Sequence, residues 1–500
     1  MSLKPEFGTY SYVGLLARFK TQSIVECRLT GVGEIASVLA SRADVTLTAA
    51  EASDGSVQYR GKVLFCVVYE GADKSVCRLE RGAEFAHSGA CEKAAPACVP
   101  RVELSILSTS VRKEGSSFFV SCVVEADISL CGVKNVDYLT GGEELICQRE
   151  KSRVLHEETA TGELVVEDEF ETDLVSDVWM HPETVGALRA SCETGFVTIE
   201  GEVGVNVCAI KGEGPDNYER LLPFKAEIPC DSSAVTSSCR ARVSVSESNV
   251  TVRYDEEKGR SVLVLSVRLS IVAVCQSEEE IEYVSDAFCT DCEVNTEAGE
   301  ETFERLSSTV RFTERVSGVA ALSDAIDFTA ALQALVCQHA EAEIAVADGK
   351  EEVQGVVGAT LLVCDADGTH RGIPLQLPFF VPLRTEDAGK KEVNVLVCGM
   401  SVRQKREGEA EADATLKITV NTYEEKRFGY LCGVTEGEKI PVRSGAFGVF
   451  LPREGDGLWE IAKSLHRPPE EVETGNPDLT FPVKKGERII VYRRKERKSL

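Results

Sequence analysis

The feature that most constrains this 500-residue chain is a strict alternation of apolar and polar residues, found at three separated places. Phe118, Val120, Cys122, Val124, Ala126 and Ile128 share one face of the first run. Leu263, Leu265, Val267, Leu269 and Ile271 share a face of the second. Leu416, Ile418 and Val420 form the third, with Lys417, Thr419 and Asn421 between them. Successive side chains of a strand point to opposite faces, so each run predicts a strand with one buried and one wet face. That pattern belongs to antiparallel hairpins rather than to a buried parallel sheet.

The runs belong to an internal repeat. YRGKVLFCVVY (59–69), IEGEVGVNVCAI (199–210) and VQGVVGATLLVCD (353–365) each open on a glycine: Gly61, Gly201 and Gly355. A second landmark follows each: STSVRKEG (108–115), NVTVRYDEEKG (249–259) and GMSVRQKREG (399–408). Two landmarks that drift together along the chain indicate duplication. Glu114-Gly115 and Lys258-Gly259 supply tight turns, where glycine permits positive φ. Helical patterning is sparse. Glu34 to Ala40, Pro182 to Ser191 and Asp324 to Leu335 each fit a short helix or further strand. The reading is a mainly β multidomain protein: repeated antiparallel β-rich domains over 1–150, 165–293 and 312–443, then a small module over 446–494. Linkers are expected near 150–170 and 293–312, where acidic residues crowd.

Bulk properties bound the function. The formal net charge of −27 excludes nucleic acid as a general partner, because phosphate binding needs basic surface. Residues 447–500 carry 11 Lys and Arg against 9 Asp and Glu, so the acidity belongs to the rest of the chain. That shift marks a boundary near 445. The opening MSLKPEFGTYSYVGLLARFK has a short apolar stretch broken by Arg18 and reads as no secretion signal. No window offers about 18 uninterrupted apolar residues, so no transmembrane helix is expected. The 19 cysteines are read as free thiols acting as small core hydrophobes in a reducing cytosol.

The last fifty-odd residues carry the most specific signature: Gly455-Asp456-Gly457-Leu458-Trp459-Glu460-Ile461-Ala462, then Asn476-Pro477, then Lys485-Gly486-Glu487-Arg488-Ile489-Ile490-Val491. This resembles a LysM module, a βααβ unit known for gripping N-acetylglucosamine polymers and, in some cases, proteins. Its first strand is expected at Gly448 to Pro452. Asp456 is expected to cap the first helix through its carboxylate. Leu458, Ile461, Ala462 and Leu465 fall at helical spacing and predict the core face. Pro468-Pro469 opens a second helix, which Gly475-Asn476 ends. Gly486 turns into a final strand over Ile489 to Tyr492. The resemblance implies a groove at Gly455, Asp456, Gly457, Leu458, Asn476, Pro477, Asp478 and Leu479. Gly457 stands where glycan binders usually have Thr or Ser. His466-Arg467 stands where an aromatic and a small residue are common.

The body carries a second resemblance. TQSIVECRLTGVGEIASVL (21–39), ADVTLTA (43–49) and YRGKVLFCVVYEG (59–71) look like the opening of a SPOCS domain. Gly33-Glu34-Ile35 stands where that family usually has Pro-Asp-Ile. Tandem SPOCS domains ending in one LysM are the plan of SipL-type spore-coat morphogenetic proteins, and the resemblance covers nearly the whole chain. It implies a non-enzymatic scaffold in endospore coat assembly, acting in the mother-cell cytoplasm at the forespore surface. Its LysM would dock a SpoIVA-type coat ATPase. The alternative is a cell-wall protein that binds peptidoglycan or N-acetylglucosamine, which would require export.

Other constellations do not rise. Cys289-Thr290-Asp291-Cys292 is a lone CxxC, and a structural zinc site needs four ligands. The six histidines are isolated. No Gly-Lys-Ser/Thr phosphate loop and no GxSxG elbow occur. The acidic runs at 278–280 and 407–411 lack EF-hand spacing. No cofactor, metal or catalytic residue is assigned. The basic tail RRKERK (493–498) reads as a solvated end, with an acidic protein or lipid headgroups as the alternative.

Overall fold

The computed structural model describes residues 3–30, 33–211, 214–321, 331–347, 349–383, 387–406, 409–441 and 447–492. One strand order occurs three times. The first unit contains β1 (Lys4–Thr30), β2 (Ile35–Ser53), β3 (Ser56–Gly71), β4 (Val76–Ala90), β5 (Val99–Glu114) and β6 (Ser117–Glu143). The second contains β7 (Ile146–Thr172), β8 (Asp177–Glu193), β9 (Phe196–Lys211), β10 (Gly214–Pro229), β11 (Ser238–Asp255) and β12 (Arg260–Phe288). The third contains β13 (Cys292–Ala321), β14 (Ala331–Ala347), β15 (Lys350–Cys364), β16 (His370–Pro382), β17 (Lys390–Arg406) and β18 (Glu409–Lys439). In each unit the first, sixth and fifth strands form one sheet in that order, and the second, third and fourth form another. All of these pairings are antiparallel.

The alternating runs lie on the central strands β6, β12 and β18, and their apolar faces fill the space between the two sheets of each unit. Gly115 and Gly259 turn into these strands at φ +63° each. The landmark glycines share a second role. Gly61, Gly201 and Gly355 lie directly opposite Phe85, Phe224 and Phe379 on the neighbouring strand. A Cβ added at Gly355 would sit 2.6 Å from the Phe379 ring and 2.2 Å from the Glu341 carbonyl oxygen. The missing side chain lets a ring lie flat across the backbone, and the ring covers the strand where glycine leaves it bare.

The long strands overrun their sandwiches. Among the described residues, β6, β12 and β18 keep only β1, β7 and β13 as partners beyond Cys131, Gln276 and Tyr423. A two-stranded ribbon is marginal alone. The three ribbons pack together on Tyr10, Tyr12, Val154, Leu155, Ile281, Phe303 and Phe428. The Tyr10 hydroxyl donates to the Leu155 carbonyl oxygen, and the Tyr12 hydroxyl donates to Glu301 at 2.5 Å. These bonds tie the first ribbon to the other two.

A second three-way contact joins the shorter sheets. Leu39, Cys66 and Val68 meet Trp179 and Cys208 of the second unit and Val336 and Leu362 of the third. Here β3, β9 and β15 are buried on both faces. Their near-continuous apolar runs are the composition that such burial requires.

Three expectations are corrected. Residues 150–170 and 293–312 are not linkers, since they lie inside β7 and β13 and pair with β12 and β18. Several of their acidic residues, Glu163, Glu167, Glu169, Glu297 and Glu300 among them, are exposed on edge strands, where charge discourages pairing with another chain. Basic residues of β7 pair across the strands with acids of β12 in Arg149–Glu282, Lys151–Glu280 and Arg153–Glu278. Thr419 does not face water. It is 4 % exposed because the outer face of β18 lies against the second unit, where Lys417 pairs with Glu202. Of the ambiguous segments, Glu34 to Ala40 is strand from Ile35 on, in β2, and Pro182 to Ser191 is strand, in β8. Asp324 to Leu335 falls largely on 322–330, outside the described residues, as does the tail 493–498.

Candidate functional site

The C-terminal module consists of β19 (Phe447–Phe450), α1 (Leu458–Leu465), α2 (Pro469–Gly475) and β20 (Ile489–Tyr492), with β19 and β20 antiparallel. Ile461, Ala462, Val472, Val483 and Ile489 form its core, and Leu458 and Leu465 pack against them. The helical spacing seen in the sequence is thus the inward face of α1. Pro468 is the N-cap of α2, Pro469 occupies its first turn and Asn476 is its C-cap.

One local expectation fails. Asp456 does not cap α1, whose N-cap is Gly457 with no side-chain cap. The Asp456 carboxylate instead accepts the Arg453 N–H at 2.7 Å, folding the loop back before the helix begins.

Several of the eight groove positions are held by the module itself. Gly455, at φ +93°, donates its N–H to the Val483 carbonyl at 2.9 Å, and Val483 donates to the Asp456 carbonyl at 3.0 Å. The two loops are therefore tied together by backbone. Asn476 is buried. Its amide donates to the carbonyls of Val472 and Ile490, each at 2.9 Å, and its oxygen accepts the Ile490 N–H at 2.7 Å. Leu458 and Leu479 are half-buried, while Pro477 and Asp478 are exposed.

The module also docks on the body. Trp459, Lys463 and His466 follow one another at helical spacing and meet the β12–β13 junction. Trp459 donates its indole N–H to Asp286 at 2.8 Å, and Lys463 donates to both Asp286 oxygens at 2.7 and 2.8 Å. Burial alone would raise the Asp286 carboxyl. The Lys463 and Trp459 donors overcome it and hold the group below the usual carboxylate range. The Trp459 ring meets Phe288 edge-on, with centroids 5.1 Å apart. His466 Nδ1 lies 3.1 Å from the Cys289 carbonyl oxygen, and Nε2 lies 3.3 Å from Glu293.

Sequence reasoning named none of this docking face as a site. Its signal in the sequence is His466, which departs from the glycan pattern. The Cys289–Cys292 pair lies in the same seam, with both thiols buried. Burial, then the neighbouring Cys289, pushes the Cys292 thiol up to about 11.

A second unforeseen surface lies on the outer side of the small sheet. Phe447, Val449 and Leu451 are 66, 57 and 69 % exposed, and Ile490, the direct partner of Val449, is 41 % exposed. Alternation along Phe447 to Leu451 turns these side chains outward while Phe450 joins the core. Among the described residues no group of three or more His, Cys, Asp or Glu side chains is arranged to hold a metal ion, and no helix is long and apolar enough to cross a membrane. No family model matches the chain, and no curated protein or solved structure shows a significant match to it.

Proposed function

We propose that this chain is a non-enzymatic scaffold of endospore envelope assembly, whose LysM-like module docks a coat morphogenetic ATPase of the SpoIVA type. The observation that carries this reading is the exposed apolar stripe of Phe447, Val449, Leu451 and Ile490. Contiguous exposed apolar surface is a mark of protein docking. A sugar groove needs free polar groups instead, and here the Asn476 amide and the Asp456 carboxylate are engaged inside the module. The βααβ element order supports the LysM resemblance, and the threefold strand order of the body supports a tandem-domain carrier. The fixed seat of α1 on the body leaves the stripe as the module's open apolar face.

Binding of the full chain to chitin oligomers and to a SpoIVA-type ATPase, measured in parallel, tests the reading. Saturable protein binding that falls about tenfold or more in Val449→Asp or Leu451→Asp supports it. Binding of chitin oligomers alone overturns it and returns the function to the cell wall.

A further inference from the structure

Four cysteines of the second unit lie together, and nothing in the proposed scaffold role uses them. Cys192 lies on β8, Cys239 on β11 and Cys275 on β12, and Cys230 directly follows β10. Cys239 is the direct cross-strand partner of Cys275. Cys192 comes from the facing sheet, and its Sγ is 3.8 Å from that of Cys275 although 83 residues separate them. Cys230, Cys239 and Cys275 are buried in the core, whereas Cys192 is part-exposed.

We propose that Cys192 and Cys275 are an oxidation site: a peroxide converts them to a disulfide that staples the two sheets of the second unit. Their sulfurs are already in contact, and a bond of about 2 Å needs only a further approach of that order, within reach of side-chain rotation. Cys192 stands beside the β8–β9 turn at Gly195, where a strand end is freest to adjust.

Cys192 is also the thiol that a small oxidant reaches first. Its neighbours favour the thiolate. Hydrogen bonding with Cys239, then with Ser233 and Cys275, outweighs burial and holds it down to about 6. Burial, then Cys192, pushes Cys275 up to about 12, so it enters as the neutral partner.

The steps balance. The Cys192 thiolate attacks one peroxide oxygen, the O–O bond breaks and hydroxide leaves, giving a sulfenic acid. The Cys275 sulfur then attacks the Cys192 sulfur and the S–O bond breaks. The departing hydroxyl takes the Cys275 proton and leaves as water. The hydroxide released in the first step takes up the proton that Cys192 shed on forming its thiolate, so two thiols lose two electrons and hydrogen peroxide ends as two waters.

The first unit indicates that the fold does not need these thiols. Its corresponding loop keeps the same backbone bonds, with Cys91 donating to Gly55 as Cys230 donates to Gly195. Yet Ala52, Pro100 and Leu130 take the register positions of Cys192, Cys239 and Cys275. Of the four thiols, the first unit keeps a counterpart only for Cys230, at Cys91.

The test treats the intact chain with dilute hydrogen peroxide, alkylates it in denaturant and maps non-reduced tryptic peptides by mass spectrometry. The expected result is a loss of two alkylatable thiols and a Cys192–Cys275 peptide that reductant abolishes. Cys192→Ser and Cys275→Ala should each remove that peptide. Full alkylation of all 19 cysteines in the treated wild-type chain overturns the proposal. So does a bond from Cys192 to Cys239, oxidation confined to Cys289 and Cys292, or recovery of Cys192 as sulfinic acid. Stoichiometric zinc retained at these thiols by the reduced chain overturns it as well. Wild-type mapping decides the matter even if a variant misfolds.

Discussion

Trp459 donates its indole N–H to the Asp286 carboxylate at 2.8 Å across 173 residues of sequence, and this bond joins the C-terminal module to the body. Asp286 also receives Lys463, so a single carboxylate gathers both donors of helix α1 that face it. A module held in this way presents its remaining surfaces in a set orientation.

Asp286→Ala should loosen that seat. Hydrogen bonds to charged groups contribute about 1.5–3 kcal/mol, and partial exposure here places the loss near the lower end. The population with α1 undocked should rise roughly tenfold, read as faster hydrogen exchange at the β12–β13 junction. The body should keep its own unfolding midpoint.

The same contact should depend on pH in one direction. The folded Asp286 carboxyl lies below its ordinary value, so the unfolded group takes up protons first as pH falls. Its stabilisation is fully present above about pH 4, the unfolded value, and is lost as pH falls through the folded one. Trp459 emission followed from pH 7 to pH 3 should stay level and change only near the acid end. A change centred near pH 6 that persists in His466→Gln would refute the assignment. The chain has two tryptophans, so Trp179→Phe isolates this signal.

Trp179→Ala should disrupt all three units at once. The side chain is fully buried where β3, β9 and β15 converge, and Arg78 of the first unit lies 5.8 Å above its ring. Truncation at such a site costs about 3–5 kcal/mol. Urea unfolding should shift to lower midpoint in every unit, because the cavity opens among all of them. Trp179→Phe should be mild, since among the described residues the buried indole N–H has no hydrogen-bond partner to lose.

Gly355→Ala should destabilise by about 2–3 kcal/mol, because the new methyl group meets a carbonyl oxygen and the Phe379 ring. Gly429→Ala, also in a strand but with no described atom within 4 Å of the added carbon, is the matched control and should be near neutral. Equal effects of the two substitutions in thermal unfolding would reject the close-approach account.

Asn476→Ala should melt the module and spare the body. It removes three hydrogen bonds, two that close α2 onto β20 and one that caps α2 at Val472, and leaves buried backbone groups without partners, a loss of about 2–3 kcal/mol or more. Calorimetry should show the module transition lowered or absent while the main transition is retained. An unchanged module with weakened partner binding would instead make Asn476 a contact residue.

Much of the architecture was legible in the sequence because strand alternation and helix spacing are local. Leu263 to Ile271 revealed their inward face by period two, and Leu458, Ile461, Ala462 and Leu465 did so by helical spacing. Gly115, Gly259, Pro468 and Pro469 act through backbone freedom or restriction that needs no distant partner. Tertiary structure decided the rest. Charges along 150–170 suggest a linker until β12 is seen to pair with them, and Thr419 looks wet until the second unit covers it. Trp459 and His466 differ from ordinary helix residues only because Asp286 and Cys289 lie opposite. Periodicity tells a residue which side of its own element it occupies. Only the packing of elements far apart in the chain determines what lies on the other side.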